Sequence, residues 1–284
     1  MNNAPPLAQM VDLDQYPIHE LDNPVTQQLI KDCRKDLDRV GCALIPNFMR
    51  QESLDRMQDE ANRLMPQTFW SQDRHNPYMT MDVDSLPNDH PQHFFQDRSS
   101  GFINSDLLEG HSDLNTIYHN AVMTRFVGEC VGAWPIYQWA DPLGCNPYSI
   151  MGDNQYFPWH FDGNEFTVSI LVQEAEEGGT FQYAPDIRSP KEENFDEVGK
   201  VLRGESDRPH SLDLREGDLQ LFKGRYSLHR VTPVKGAKQR IIALPTYVLD
   251  PTSVNRPERA KQFYGRALPI HYERENIRPD ALTD

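Results

Sequence analysis

The sequence predicts an α+β protein, mainly β, in which helices support a double-sheet jelly roll. Three observations carry that prediction. Short strand-like runs separated by turn residues fill the chain from about residue 135. Before that point apolar residues recur at helical spacing. A histidine, an aspartate and a second histidine then fall at strand positions that two facing sheets can bring to one inner face.

The helical part comes first. The opening 22 residues are polar and proline-bearing and read as an arm or a short docking strand. Asn23 is a natural N-cap with Pro24 at the first helical position. Leu29, Ile30, Cys33, Leu37 and Val40 then make one apolar face. The run 42–46 (CALIP) is a short strand, and a helix over 51–65 places Leu54, Met57, Ala61 and Leu64 on one stripe. Residues 66–100 show no period and read as a long loop of the kind that covers binding sites. A third helix is expected over 112–128.

The β part follows as nine runs, from IYQWA at 136–140 to QRIIALPTYV at 239–248. Within 165–172 the alternation sends Phe166, Val168, Ile170 and Val172 to one face and Glu165, Thr167 and Ser169 to the other. Gly178-Gly179, Glu216-Gly217-Asp218 and Lys235-Gly236 are turn chemistry. Helices are expected at 192–203 and 256–264. The organisation is an arm with supporting helices over 1–134, a β core over 135–250, and a C-terminal helix and tail over 251–284, integrated as one domain.

The chain has 284 residues, 38% of them hydrophobic, enough for a sizeable core. Its formal net charge of -15 argues against nucleic acid or anionic membrane as a partner, because both reward Lys and Arg. Cys33, Cys42, Cys130 and Cys145 lack metal or disulfide spacing, so reduced thiols and a cytoplasmic location are the expectation. No run approaches the roughly 18 apolar residues of a membrane helix. A homodimer is compatible with the sequence.

The segment Trp159-His160-Phe161-Asp162-Gly163 holds the chemistry. Residues two apart on a strand share a face, so an imidazole and a carboxylate point together. His229 lies 69 positions downstream on another strand. Two histidines and one carboxylate on one face of an octahedral metal leave three positions open, an arrangement suited to non-haem Fe(II). Arg240, eleven residues beyond His229, opens a strand from which its fork can grip a carboxylate.

The ordered set HFD, GGTFQY, EGDLQLF and HRVTPVKGAKQR, spanning about 154–248, resembles the Fe(II)/2-oxoglutarate dioxygenase superfamily. GGTFQYAPDIRS with NFDEVGKVLRG further resembles the branch of free-amino-acid hydroxylases and radical halogenases. The resemblance implies a double-stranded β-helix core of cupin-like form. It also implies iron ligands at His160, Asp162 and His229, Arg240 as partner of the 2-oxoglutarate C5 carboxylate, and O2 as the second co-substrate. Halogenases of that branch carry Gly or Ala in place of the carboxylate. This chain keeps Asp162, with Gly163 one step later, so hydroxylation of a small polar metabolite, an amino acid or a derivative, is the expected outcome. Desaturation, cyclisation or halogenation on the same cofactors, a cupin-like metal isomerase without 2-oxoglutarate, and a catalytically silent binding protein are the alternatives.

Further residues are candidates around the site. Tyr156, four residues before His160, shares its face by alternation and is either a co-substrate contact or an aromatic core residue. Gln182 is a polar liner for either ligand, and Thr246 shares a face with Arg240. Asn146, Asn154, Trp159 and Asn164 are candidates for the mouth. Arg188 is either a clamp for a substrate carboxylate or a member of an ion pair.

Overall fold

The computed structural model describes residues 6–276 and 280–283. The predicted arm falls partly on residues 1–5, outside the described residues. Its remainder docks: Val11 bridges Met49, and Met10, Val11 and Ile18 are fully buried.

Helix α1 (Pro24–Val40) begins where the sequence places it, with the Asn23 side chain accepting from the Val25 amide at 2.9 Å, and ends on left-handed Gly41. Strand β1 (Cys42–Ile45) and helix α2 (Gln51–Leu64) follow as expected. The segment read as a loop is different. Strands β2 (Phe69–His75) and β3 (Gln96–Ile103) form an antiparallel hairpin that extends the large sheet. The helix expected over 112–128 is two, α3 (Asp113–Tyr118) and α4 (Ala121–Val131). Asn120 divides them: its side chain caps the second helix by accepting from the amides of Val122 and Met123.

The later elements are β4 (Tyr137–Gln138), β5 (Tyr148–Met151), β6 (Phe157–His160), β7 (Phe166–Gln173), β8 (Glu177–Gly178), β9 (Phe181–Ala184), α5 (Phe195–Leu202), β10 (His210–Leu212), β11 (Leu219–Phe222), β12 (Leu228–Val231), β13 (Val234–Lys235), β14 (Arg240–Ala243), β15 (Thr246–Val248), α6 (Pro257–Tyr264) and α7 (Pro269–Glu273). The large sheet has the order β1-β11-β7-β14-β5-β3-β2, with β15 and β4 joined beside β7. The small sheet has the order β10-β9-β12-β6. Two antiparallel sheets with supporting helices are the expected jelly roll, although three strands of the large sheet come from before residue 134.

The predicted alternation of β7 explains the layers. Phe166, Val168, Ile170 and Val172 enter the main core with Ile30 and Leu37 of α1 and Leu54 and Met57 of α2. Each such side chain stabilises the fold by about 1.5–3 kcal/mol through area removed from water. Thr167 and Ser169 point the other way, into the space between the sheets. Among the described residues no helix is long and apolar enough to cross a membrane.

Candidate metal centre

His160 ends β6 and His229 lies on the neighbouring β12, where the two are paired residues of the ladder with ring centroids 4.0 Å apart. Asp162 follows β6. Its Oδ1 lies 3.4 Å from His229 Nε2 and 3.7 Å from His160 Nε2. One ligand atom from each of the three residues falls within 4.8 Å of the others. Both imidazoles are oriented in the same way. His160 Nδ1 is 2.8 Å from the Pro158 carbonyl and His229 Nδ1 is 3.0 Å from the Ser227 carbonyl. Each Nδ1 therefore donates, which leaves each Nε2 lone pair directed at the common point. This is how protein backbones orient metal-binding histidines.

The electrostatics suit a cation. Burial, reinforced by His229, pushes His160 well below its ordinary value and keeps it in the neutral, ligating form. Burial alone would raise Asp162. The neighbouring His229 and His160 and the hydroxyl of Thr167 outweigh it and hold the carboxyl well below the usual carboxylate range. A buried carboxylate thus faces the neutral imidazole of His160 and the ring of His229.

The cavity beyond this triad is walled by the inner face of the large sheet: Ser149, Thr167, Ser169, Gln220, Arg240 and Thr246 among others. Arg240 is 3% exposed, and burial pushes its guanidinium down to about 10. Among the described residues no carboxylate lies within ion-pair reach of it. A buried cation without a partner is costly, and an anion supplied from outside would offset that cost. Gly179 makes room for it: a Cβ there would sit 2.7 Å from Arg240 Cδ, and its φ of +65° is one that side chains rarely adopt.

The structure brings His160, Asp162, His229, Arg240, Thr246 and Asn164 to one cavity. It does not bring the others there. On β6 three residue steps, Phe157 to His160, face two steps on β12, Val231 to His229. That bulge reverses the alternation, so Phe157 lines the cavity while Tyr156 pairs with Ser99 on β3. Trp159 and Gln182 lie on the outer face of the small sheet, joined by Arg230, which stacks on Trp159 and donates to Gln182. Asn146 is buried against Asn115 and Ser105, and exposed Asn154 accepts from Lys235 in a turn. Arg188 is no substrate clamp: its side chain is fully buried, pairs with Glu193 at 3.1 Å and lies over the Phe161 ring.

Residues that sequence reasoning passed over complete the surroundings. Asn255, Phe263 and Tyr264, from α6 and the turn before it, line the cavity. His75 and Arg98 come from the β2–β3 hairpin. The His75 ring is 6.5 Å from that of His160. The Arg98 guanidinium stacks between Phe157 and Phe263, at 5.3 and 4.2 Å from the ring centroids, and donates from Nη2 to Ser71 and to the Gln262 carbonyl. Its Nε and Nη1 have no hydrogen-bond partner. Burial lowers His75 to about 4, with Arg98 and Arg259 adding to the shift.

The two packed sheets have the fold of solved 2-oxoglutarate/Fe(II) oxygenases. Solved structures agree on the fold. A 2OG-Fe(II) oxygenase family oxidoreductase from Burkholderia pseudomallei is 16% identical, with a TM-score of 0.52 over 77% of this chain and 90% of that one. A prolyl hydroxylase from Trichoplax adhaerens, in complex with a peptide fragment, is 14% identical with a TM-score of 0.51 over 78% and 90%. The alpha-ketoglutarate-dependent epimerase SnoN of nogalamycin biosynthesis is 12% identical with a TM-score of 0.54 over 80% and 82%. A search of curated proteins by sequence finds no match. The family model described as Halogenase D matches residues 25–256, and the chain belongs to that family.

Proposed function

We propose that this protein hydroxylates an unactivated C–H bond of a small, carboxylate-bearing metabolite, an amino acid or a derivative, using Fe(II), 2-oxoglutarate and O2. The observation that carries the reading is the pairing of the triad with Arg240, a buried cation without a counter-charge, in one cavity. His160, Asp162 and His229 would hold the metal, and Arg240 with Thr246 would hold the distal carboxylate of the oxoacid. Bound Fe(II) with 2-oxoglutarate and O2 supplies an oxidant able to take a hydrogen atom from carbon and return a hydroxyl group. The chain's own part is to orient the ligands, to fix the co-substrate by its far end and to exclude water with Phe157, Phe222 and Phe263.

Retention of Asp162 supports hydroxylation over the halogenation that the family's description suggests, because its carboxylate fills the position a halide would need. Anaerobically loaded protein is to be supplied with O2, chloride and a panel of free amino acids, with succinate and product mass as readouts. A product gaining one oxygen supports the reading, and a chlorinated one replaces it with halogenation. The buried Arg98 guanidinium, with Nε and Nη1 lacking hydrogen-bond partners, supports a substrate carboxylate. Arg98→Leu is expected to raise KM for such a substrate about 10- to 100-fold, the value of a charged hydrogen bond, with much less effect on the corresponding amine lacking the carboxylate. Equal losses on both substrates would count against this role.

A further inference from the structure

We infer that Thr167, backed by Asn164 and Gly224, is a positioning residue that commits Asp162 to bind the metal through a single oxygen. The inference rests on the reading of His160, Asp162 and His229 as ligands. Asp162 has two oxygens with separate surroundings. Oδ1 is the one 3.4 and 3.7 Å from the histidine Nε2 atoms. Oδ2 accepts a hydrogen bond from Thr167 Oγ1 at 2.5 Å. Thr167 opens the inner face of β7, so the large sheet holds a carboxylate whose histidine partners belong to the small one.

The hydroxyl has no freedom to turn away. Asn164 Nδ2 donates to Thr167 Oγ1 at 3.0 Å and to the Phe166 carbonyl at 3.1 Å. With an acceptor lone pair of Oγ1 engaged by the amide, its one proton is directed at Asp162. The other side of Oδ2 is closed by backbone. The Asp162 amide donates to the Gly224 carbonyl at 3.1 Å, and a Cβ at Gly224 would lie 1.9 Å from Oδ2 and 2.9 Å from Thr167 Oγ1. Only glycine fits there, and the reason is the seat of the carboxylate rather than a turn.

A carboxylate that used both oxygens would take two of six metal positions and leave only two beside the histidines. Holding Oδ2 away from the metal keeps three positions for a bidentate oxoacid and O2. The Thr167 hydroxyl is engaged by Asn164 and Asp162, so it acts through Asp162.

The test is the Fe(II) affinity of the full-length protein, titrated anaerobically with Fe(II) alone and followed by calorimetry. Thr167→Val keeps the shape and removes the donor, and is expected to weaken binding about 10- to 100-fold, the usual effect of losing an outer partner of a metal ligand. Thr167→Ser should restore affinity to within about threefold, because the hydroxyl and not the methyl is required. Asn164→Ala should give a smaller loss in the same direction and provides the reading should Thr167→Val not fold. Unchanged affinity in the first or in Asn164→Ala overturns the inference, as does a serine variant as weak as the valine one. His229→Ala separates the two levels. If it binds Fe(II) like the wild type, the metal site itself is misassigned. If it loses binding while Thr167→Val does not, only the positioning role falls.

Discussion

Arg240→Met is expected to raise the 2-oxoglutarate concentration needed for half-saturation by roughly 30- to 5,000-fold. That range corresponds to the 2–5 kcal/mol lost when one partner of a buried charge pair is truncated. Methionine keeps much of the stem volume beside Gly179 while removing the cation. The ligand-free protein should be no less stable, and is expected to melt slightly higher, because an uncompensated buried charge is removed. The opposite signs distinguish a ligand-binding arginine from a structural one. A structural ion pair would lose stability on truncation, as Arg188 with its Glu193 partner would. Competition by succinate, which shares the distal carboxylate, should weaken in parallel.

Asp162→Ala is expected to lower Fe(II) affinity by more than ~100-fold, beyond the range for outer-shell partners. The loss has two physical parts. One anionic ligand is removed, and the remaining His160 and His229 are left as two neutral donors against a divalent cation. Succinate release should fall with metal occupancy and recover in part at high Fe(II). Calorimetry and succinate release measure both.

The parts of this site that could be read from sequence are those whose geometry depends on local periodicity. His160 and Asp162 share a face because two residues on a strand do, and Arg240 and Thr246 share one through the same rule. Even the Thr167 face of β7 was visible in the alternation of 165–172. Trp159, expected at the mouth, follows the rule instead: one step from His160, it points to the opposite face. Tyr156 failed for a reason no periodicity reports. The bulge on β6 inserts one residue between it and the histidine, and the parity reverses. Gln182 failed because the facing of β9 depends on its partner strands: Phe181 meets Phe222 and His229 inside, which sends Gln182 outward to Arg230.

The β2–β3 hairpin was the larger omission. Its strands FWSQDRH and QDRSSGFI lack apolar alternation, because the face turned inward carries Ser71, His75, Arg98 and Ser100 rather than aliphatic side chains. A polar strand of this kind forms where a site needs polar groups, and for that reason resembles a loop in sequence. The split of the helix at Asn120 carried a signal, since asparagine is a strong cap, but the apolar run on both sides masked it.

The central claim is that the triad and Arg240 together bind one oxoacid on one iron. Anaerobic titration of the Fe(II)-loaded protein with 2-oxoglutarate tests it directly, read by the visible charge-transfer absorption of an oxoacid chelated to Fe(II). The absorption should appear and saturate in the wild type, require much higher Fe(II) in Asp162→Ala, and shift to much higher oxoacid concentration in Arg240→Met. A folded, iron-loaded protein that develops no such absorption, or an Arg240→Met variant that titrates like the wild type, would contradict it.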